Sequence, residues 1–144
     1  MQSIPEQDKG LILEHLLVIS SNLNNINNAR LFLEEVFAES NLDHSYFNQV
    51  FLGLSEALTN SIVHGNKLNM LKKICIKVKC VEKELSIEVT DEGDGFSADC
   101  LKDPTSEENI KNENGRGVFL IRSFADELDY FEGGRKVRIK YNFN

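Results

Sequence analysis

The apolar side chains of this chain change from a helical to an alternating period in its middle third, and that change most constrains what it can fold into. From Phe47 they recur every three to four positions, as Phe47, Val50, Phe51, Leu54, Leu58 and Ile62, which is the stripe of an amphipathic helix. From Ile74 they recur every second position, as Ile74, Ile76 and Val78, then Leu85, Ile87 and Val89. That is the alternation of two strands with one covered face, and the polar join near Glu82–Glu84 makes them an antiparallel hairpin. One stripe and one sheet face bury each other by stacking.

The other segments fit the same plan. "EHLLVIS" (14–20) reads as a short apolar strand, and the Asn-rich "SNLNNINN" after it offers helix caps. "ARLFLEEVFAES" (29–40) has helical period, with Phe32, Leu33, Val36 and Phe37 on one side. Asp43 or Ser45 caps the next helix, which runs to about Gly65. "GRGVFLIRSFADELDYF" returns to helix, and "ELDYFEGGRKVRIKYNF" closes with two strands around Gly133–Gly134. With no repeat and no second hydrophobic unit, residues 1–144 are expected to form one α+β domain. Its expected architecture is a two-layer sandwich of a mixed, mostly antiparallel sheet with helices on one face.

Three places carry side chains able to do chemistry. In "GLSEALTNSIVHGN" (53–66), Glu56, Asn60 and His64 stand four apart and share a helix face beside Gly53 and Ala57. Such a line is ordinarily the solvated side of a helix, and His64 near the helix end ordinarily makes a capping or dipole contact. Alternatively, Glu56 is a general base and Asn60 an oxygen ligand for magnesium. The second strand ends in "VTDEGDGF", where Asp91 has the parity of Leu85, Ile87 and Val89 and so faces the helices. A carboxylate there needs a hydrogen-bond partner. Asp91 is either a plain strand-to-turn aspartate or an acceptor awaiting a ligand's donor, such as an exocyclic amine, with Gly93 and Gly95 allowing close backbone approach. "NGRGVFLIRSF" puts Gly115, Arg116 and Gly117 just ahead of a helix, either as a simple junction or as a phosphate site at its N-terminus. Between the last two places lies the polar segment 97–114, and no G-x-x-x-x-G-K-[ST] motif occurs.

Composition narrows the class. A net charge of -7, with no Lys/Arg cluster beside aromatics, argues against nucleic-acid binding. No apolar run reaches membrane-spanning length, and the polar N-terminus lacks a signal-peptide pattern. Cys75, Cys80 and Cys100 form neither a CxxC pair nor a metal spacing and suit a reducing compartment. The cytoplasm is the expected location.

Taken in order, the Glu-x-x-x-Asn helix, the D-x-G-x-G strand end, the polar segment and the G-x-G at a helix start resemble the GHKL ATPase superfamily, the group that includes gyrase and the histidine kinases. In detail the chain is similar to the bacterial anti-sigma-factor serine kinases: "SEALTNSIVHGN", "VTDEGDGF" and "GRGVFLIRSFADEL" match that family's motifs, over roughly residues 14 to 143. The resemblance implies the Bergerat ATP-binding fold and a protein-serine kinase using ATP and Mg2+. It implies that Asn60 ligates the magnesium, that Asp91 accepts from the adenine amino group, and that Gly93 and Gly95 shape the pocket floor. Residues 97–114 would form the lid, Gly115, Arg116 and Gly117 would lie along the phosphates, and Glu56 would be the catalytic base. The implied partners are a sigma factor and an anti-anti-sigma (STAS-domain) protein, with homodimerisation, and Arg30 matches an arginine that contacts the sigma factor. Two other functions remain: a nucleotide-dependent sequestering module without kinase activity, and a free-standing histidine-kinase-type ATPase domain. Retention of Glu56 counts against the first. The second lacks a preceding helical pair with a phosphoacceptor histidine.

Overall fold

The alternating segments become the five strands of one sheet. In the computed structural model, which describes residues 12–92 and 124–143, β1 spans Ile12–Ser20, β2 Lys73–Val81, β3 Glu84–Asp91, β4 Glu127–Phe131 and β5 Lys136–Asn142. The strand order is β1-β2-β3-β5-β4, and every pairing among the described strands is antiparallel. The β2–β3 hairpin closes as Val81 pairs with Glu84, with Glu82 in the left-handed region at φ 58. The β4–β5 turn needs glycine more strictly, because Gly133 and Gly134 take φ 67 and 95.

Among the described residues, two helices cover one face. α1 spans Ile26–Glu39 and buries Ala29, Leu33, Val36 and Phe37. It starts three residues ahead of the sequence reading, after a 3-10 turn over Leu23–Asn25 that Asn22 caps by accepting from the Asn24 N–H at 2.8 Å. α2 spans Phe47–Thr59, follows a 3-10 turn capped by Asp43, and buries Phe47, Val50, Leu54 and Leu58 along the expected stripe. Those side chains meet Ile74, Ile76, Val78, Leu85, Ile87, Val89 and Ile139 in a single core. Each fully buried aliphatic residue contributes about 1.5–3 kcal/mol relative to exposure. Gly53 is in α2 for space, not for backbone freedom: a Cβ there would collide with the Tyr141 hydroxyl from β5.

The opposite face of the sheet carries a cross-strand charge ladder. Glu88 on β3 lies 4.0 Å from Lys77, 3.9 Å from Lys136 and 3.7 Å from Arg138, the arrangement that opposite charges on neighbouring strands favour. At the β1 edge this face also exposes apolar side chains, with Ile12, Leu16 and Val18 each about half accessible around Glu14, which lies 3.9 Å from Lys79.

Candidate functional site

Helix α2 does not end where its hydrogen-bonding pattern changes. Its last turn, Asn60–Gly65, is a π-helix. Immediately before it, the Ser55 hydroxyl donates to the Leu52 carbonyl at 3.0 Å and the Thr59 hydroxyl to the Ser55 carbonyl at 2.9 Å. Such hydroxyl contacts compete with the backbone ladder and bend helices. The wider spacing continues as the Asn66 N–H reaches the Ser61 carbonyl at 2.8 Å. In an α-helix residues 60 and 65 would lie on different sides; in a π turn, positions i and i+5 are neighbours. The turn therefore sets Gly65 on the same side as Asn60. Asn66 anchors the turn to the sheet, donating from Nδ2 to Ser21 Oγ at 2.7 Å and to the Lys73 carbonyl at 3.0 Å. Ser21 in turn donates to the Lys72 carbonyl at 2.9 Å. Beyond it, Lys67 and Leu68 take the left-handed conformation at φ 53 and 60.

Opposite this turn stands Asp91, the last residue of β3. Its parity directs it to the helix-covered face, and it is buried there with 4% of its surface exposed. The main chain is held from both sides: the Asp91 N–H donates to the Arg135 carbonyl at 3.0 Å, and Arg135 Nε donates to the Asp91 carbonyl at 3.2 Å. The side chain is held by much less. Its carboxyl lies against Gly65, where a Cβ would run into Oδ2, and Oδ1 is buried without a hydrogen-bond partner among the described residues. Burial pushes the Asp91 pKa up to about 6, against the opposing pull of the Arg135 and Lys72 charges. An unpartnered buried acceptor is costly, and here it belongs to a carboxyl packed against Gly65, at the end of the helix that carries Asn60. The arrangement can accept one hydrogen bond from a ligand's N–H group.

The remaining candidates divide cleanly. Glu56 and Asn60 lie on α2 and at the start of the π turn, both half-buried and both in reach of solvent, and His64 is exposed. Gly93, Gly95, Gly115, Arg116, Gly117, the expected lid 97–114 and most of the helix expected after it lie outside the described residues. No group of three or more His, Cys, Asp or Glu able to hold a metal ion occurs among the described residues. The sequence reading missed Gly65, taking it as the end of the helix. Its importance depends on Asp91, which stands on another element, so the only local trace is the Ser55–Thr59 pair ahead of the π turn.

The same stretch of chain is where known proteins match. The family model of the histidine kinase-like ATPase domain matches residues 19–141, from the end of β1 through β5. The chain belongs to this family. Its α+β architecture, among the described residues a five-stranded antiparallel sheet under two helices, is that of the GHKL ATPases, as the motifs implied. Among curated relatives, the serine-protein kinase RsbW of Staphylococcus aureus strain MRSA252 is 31% identical over 110 residues, 72% of this chain and 69% of the relative. The proteins of the same name from strains JH9 and Newman match over the same length at the same identity. A nucleotide-using GHKL ATPase or kinase is therefore the functional class. No helix among the described residues is long and apolar enough to cross a membrane.

Proposed function

We propose that this GHKL domain is an ATP-dependent protein-serine kinase and anti-sigma factor, which binds a sigma factor and phosphorylates a serine of a STAS-domain antagonist. The observation that carries the reading is Asp91: a buried carboxylate with an unpartnered Oδ1, set against the helix that bears Glu56 and Asn60. It suits the exocyclic amino group of adenine, which offers a donor where guanine offers a carbonyl oxygen. The relatives named serine-protein kinase support the choice of reaction.

In this reading bound Mg-ATP supplies the phosphoryl group, and magnesium neutralises its charge. Asn60 holds that ion through its neutral amide oxygen, and Asp91 fixes the base and so the register of the phosphates. Glu56, one helical turn before Asn60, takes the proton from the incoming serine hydroxyl. Outside the described residues, the family's motifs imply that Gly93 and Gly95 would form the pocket floor and residues 97–114 the lid, with Gly115, Arg116 and Gly117 along the phosphates. Arg30 on α1 is 46% exposed and within 3.9 Å of Glu34, which leaves it available to a sigma factor. The exposed Ile12, Leu16 and Val18 on edge strand β1 suit a second copy of the chain. The domain works in the cytoplasm and does not bind nucleic acid.

Isothermal titration with Mg-ATP and Mg-ADP, followed by transfer of labelled phosphate to a STAS-domain protein, tests the reading. Nucleotide binding with transfer supports it. Binding without transfer by the wild type makes the chain a sequestering module, and no binding by folded protein refutes it.

A further inference from the structure

Gly65 is a glycine that its backbone does not require. Its φ is outside the left-handed region, which Lys67 and Leu68 occupy instead. It does not serve as the glycine of a helix C-cap, since the residue after it, Asn66, has φ -96. At such a position alanine ordinarily stabilises, by restricting the unfolded chain. What excludes alanine is space. The three atoms nearest to a Cβ on Gly65 are Oδ2, Cγ and Oδ1 of Asp91, all belonging to one carboxyl group. The Asp91 main chain is fixed, bonded in both directions to Arg135. The carboxyl therefore yields to a Cβ only by turning about its own side-chain bonds, away from the place it now holds.

We propose that Gly65 is a positioning residue for base recognition: by leaving the space that the Asp91 carboxyl occupies, it fixes the acceptor that distinguishes adenine from guanine. The inference rests on the nucleotide reading above. The π turn is the second half of the device. It brings position 65 to the side of Asn60, and the Asn66 contacts to Ser21 and Lys73 lock it to the sheet. The base acceptor and the magnesium ligand are thereby referred to one rigid turn of backbone six residues long. A methyl group at position 65 displaces the carboxyl, so the amino group of ATP loses its partner. GTP, which gains nothing from a well-placed acceptor, is affected less.

Three variants test this: G65A, D91A and the double variant G65A/D91A, each measured by urea unfolding and by titration with Mg-ATP and Mg-GTP. Expected is a loss of about tenfold or more in ATP affinity for G65A, with a fall in the ATP-to-GTP affinity ratio. A purely structural role would lower both affinities together and leave the ratio unchanged. Also expected is that G65A lowers stability in the wild-type background but not in the D91A background, where the colliding group is gone. If G65A does not fold alone, recovery of folding in G65A/D91A supports the contact, and failure of both overturns it. G65A with wild-type affinity and selectivity overturns the proposal, as does the same stability loss in both backgrounds. Wild-type protein that binds no nucleotide refutes the function and the assigned role together, while the unfolding cycle still reports the Gly65–Asp91 contact on its own.

Discussion

Replacing Asp91 with asparagine separates what that carboxylate does for the fold from what it does for the ligand. The group titrates near 3.8 in the unfolded chain and at about 6 when buried in the native protein. The native state therefore holds its proton to higher pH. Between those values the folded protein binds more protons than the unfolded one, so stability falls as pH rises. The cost is absent below pH 3.8 and fully present above about pH 6. A gap of about two units at about 1.4 kcal/mol each makes it about 3 kcal/mol at pH 7.5. Asp91→Asn carries no such charge, so the stability difference between variant and wild type should grow by about 3 kcal/mol from pH 3.5 to pH 7.5, or about 10 °C in Tm for a domain of this size. Burying the amide adds an offset independent of pH, which the slope ignores. Urea or thermal unfolding of both proteins across that range is the assay. Mg-ATP at a hundred times its Kd should nearly close that difference at pH 7.5, since it stabilises only the wild type, by about 2.7 kcal/mol. Stability curves that run parallel from pH 3.5 to 7.5 would refute the argument, and so would a wild type that gains on the variant as pH rises.

Glu56→Gln should keep ATP affinity within about threefold while phosphoryl transfer falls by about a hundredfold or more, read by titration beside a phosphotransfer assay. Tyr141→Phe removes a buried hydroxyl without a hydrogen-bond partner and should leave stability unchanged or raise it by up to about 1 kcal/mol. Gly53→Ala should cost about 1–3 kcal/mol through collision with that hydroxyl, and much less when combined with Tyr141→Phe. Asn66→Ala leaves Ser21 and the Lys73 carbonyl short of a donor, at about 1–3 kcal/mol in chemical denaturation. Leu16→Glu on edge strand β1 should leave the monomer folded and convert a dimer to monomers in sedimentation, and an unchanged dimer would rule that strand out of the interface.

Much of the architecture was legible because period is a property of the backbone itself. The stripe through Phe47, Val50, Leu54 and Leu58 and the alternation through Ile74 and Val89 needed no knowledge of their partners. Counting by twos from Leu85 put Asp91 on the covered face, and type and place offered Asp43 and Ser45 as caps, of which Asp43 accepts from the Ser45 N–H. The start of α1 was less legible, because asparagines suit caps, 3-10 turns and first helical turns alike; in the structure Asn22 caps the 3-10 turn and Asn25 Nδ2 donates to the Ser20 carbonyl at 3.1 Å.

What the sequence by itself determined, then, was which of the described segments up to Asp91 are helix and which are strand, and which way β2 and β3 turn their side chains; the helix read from Gly115 lies mostly outside the described residues, and its end, Glu127–Phe131, is a strand. Tertiary structure decided what stands opposite. It set β5 between β3 and β4, brought Tyr141 over Gly53, and opened the last turn of α2 so that Gly65 meets Asp91. Periodicity repeats along one chain segment and is carried by local geometry. The space at a missing Cβ, and the buried acceptor that fills it, are properties of two segments pressed together, and neither one records the other.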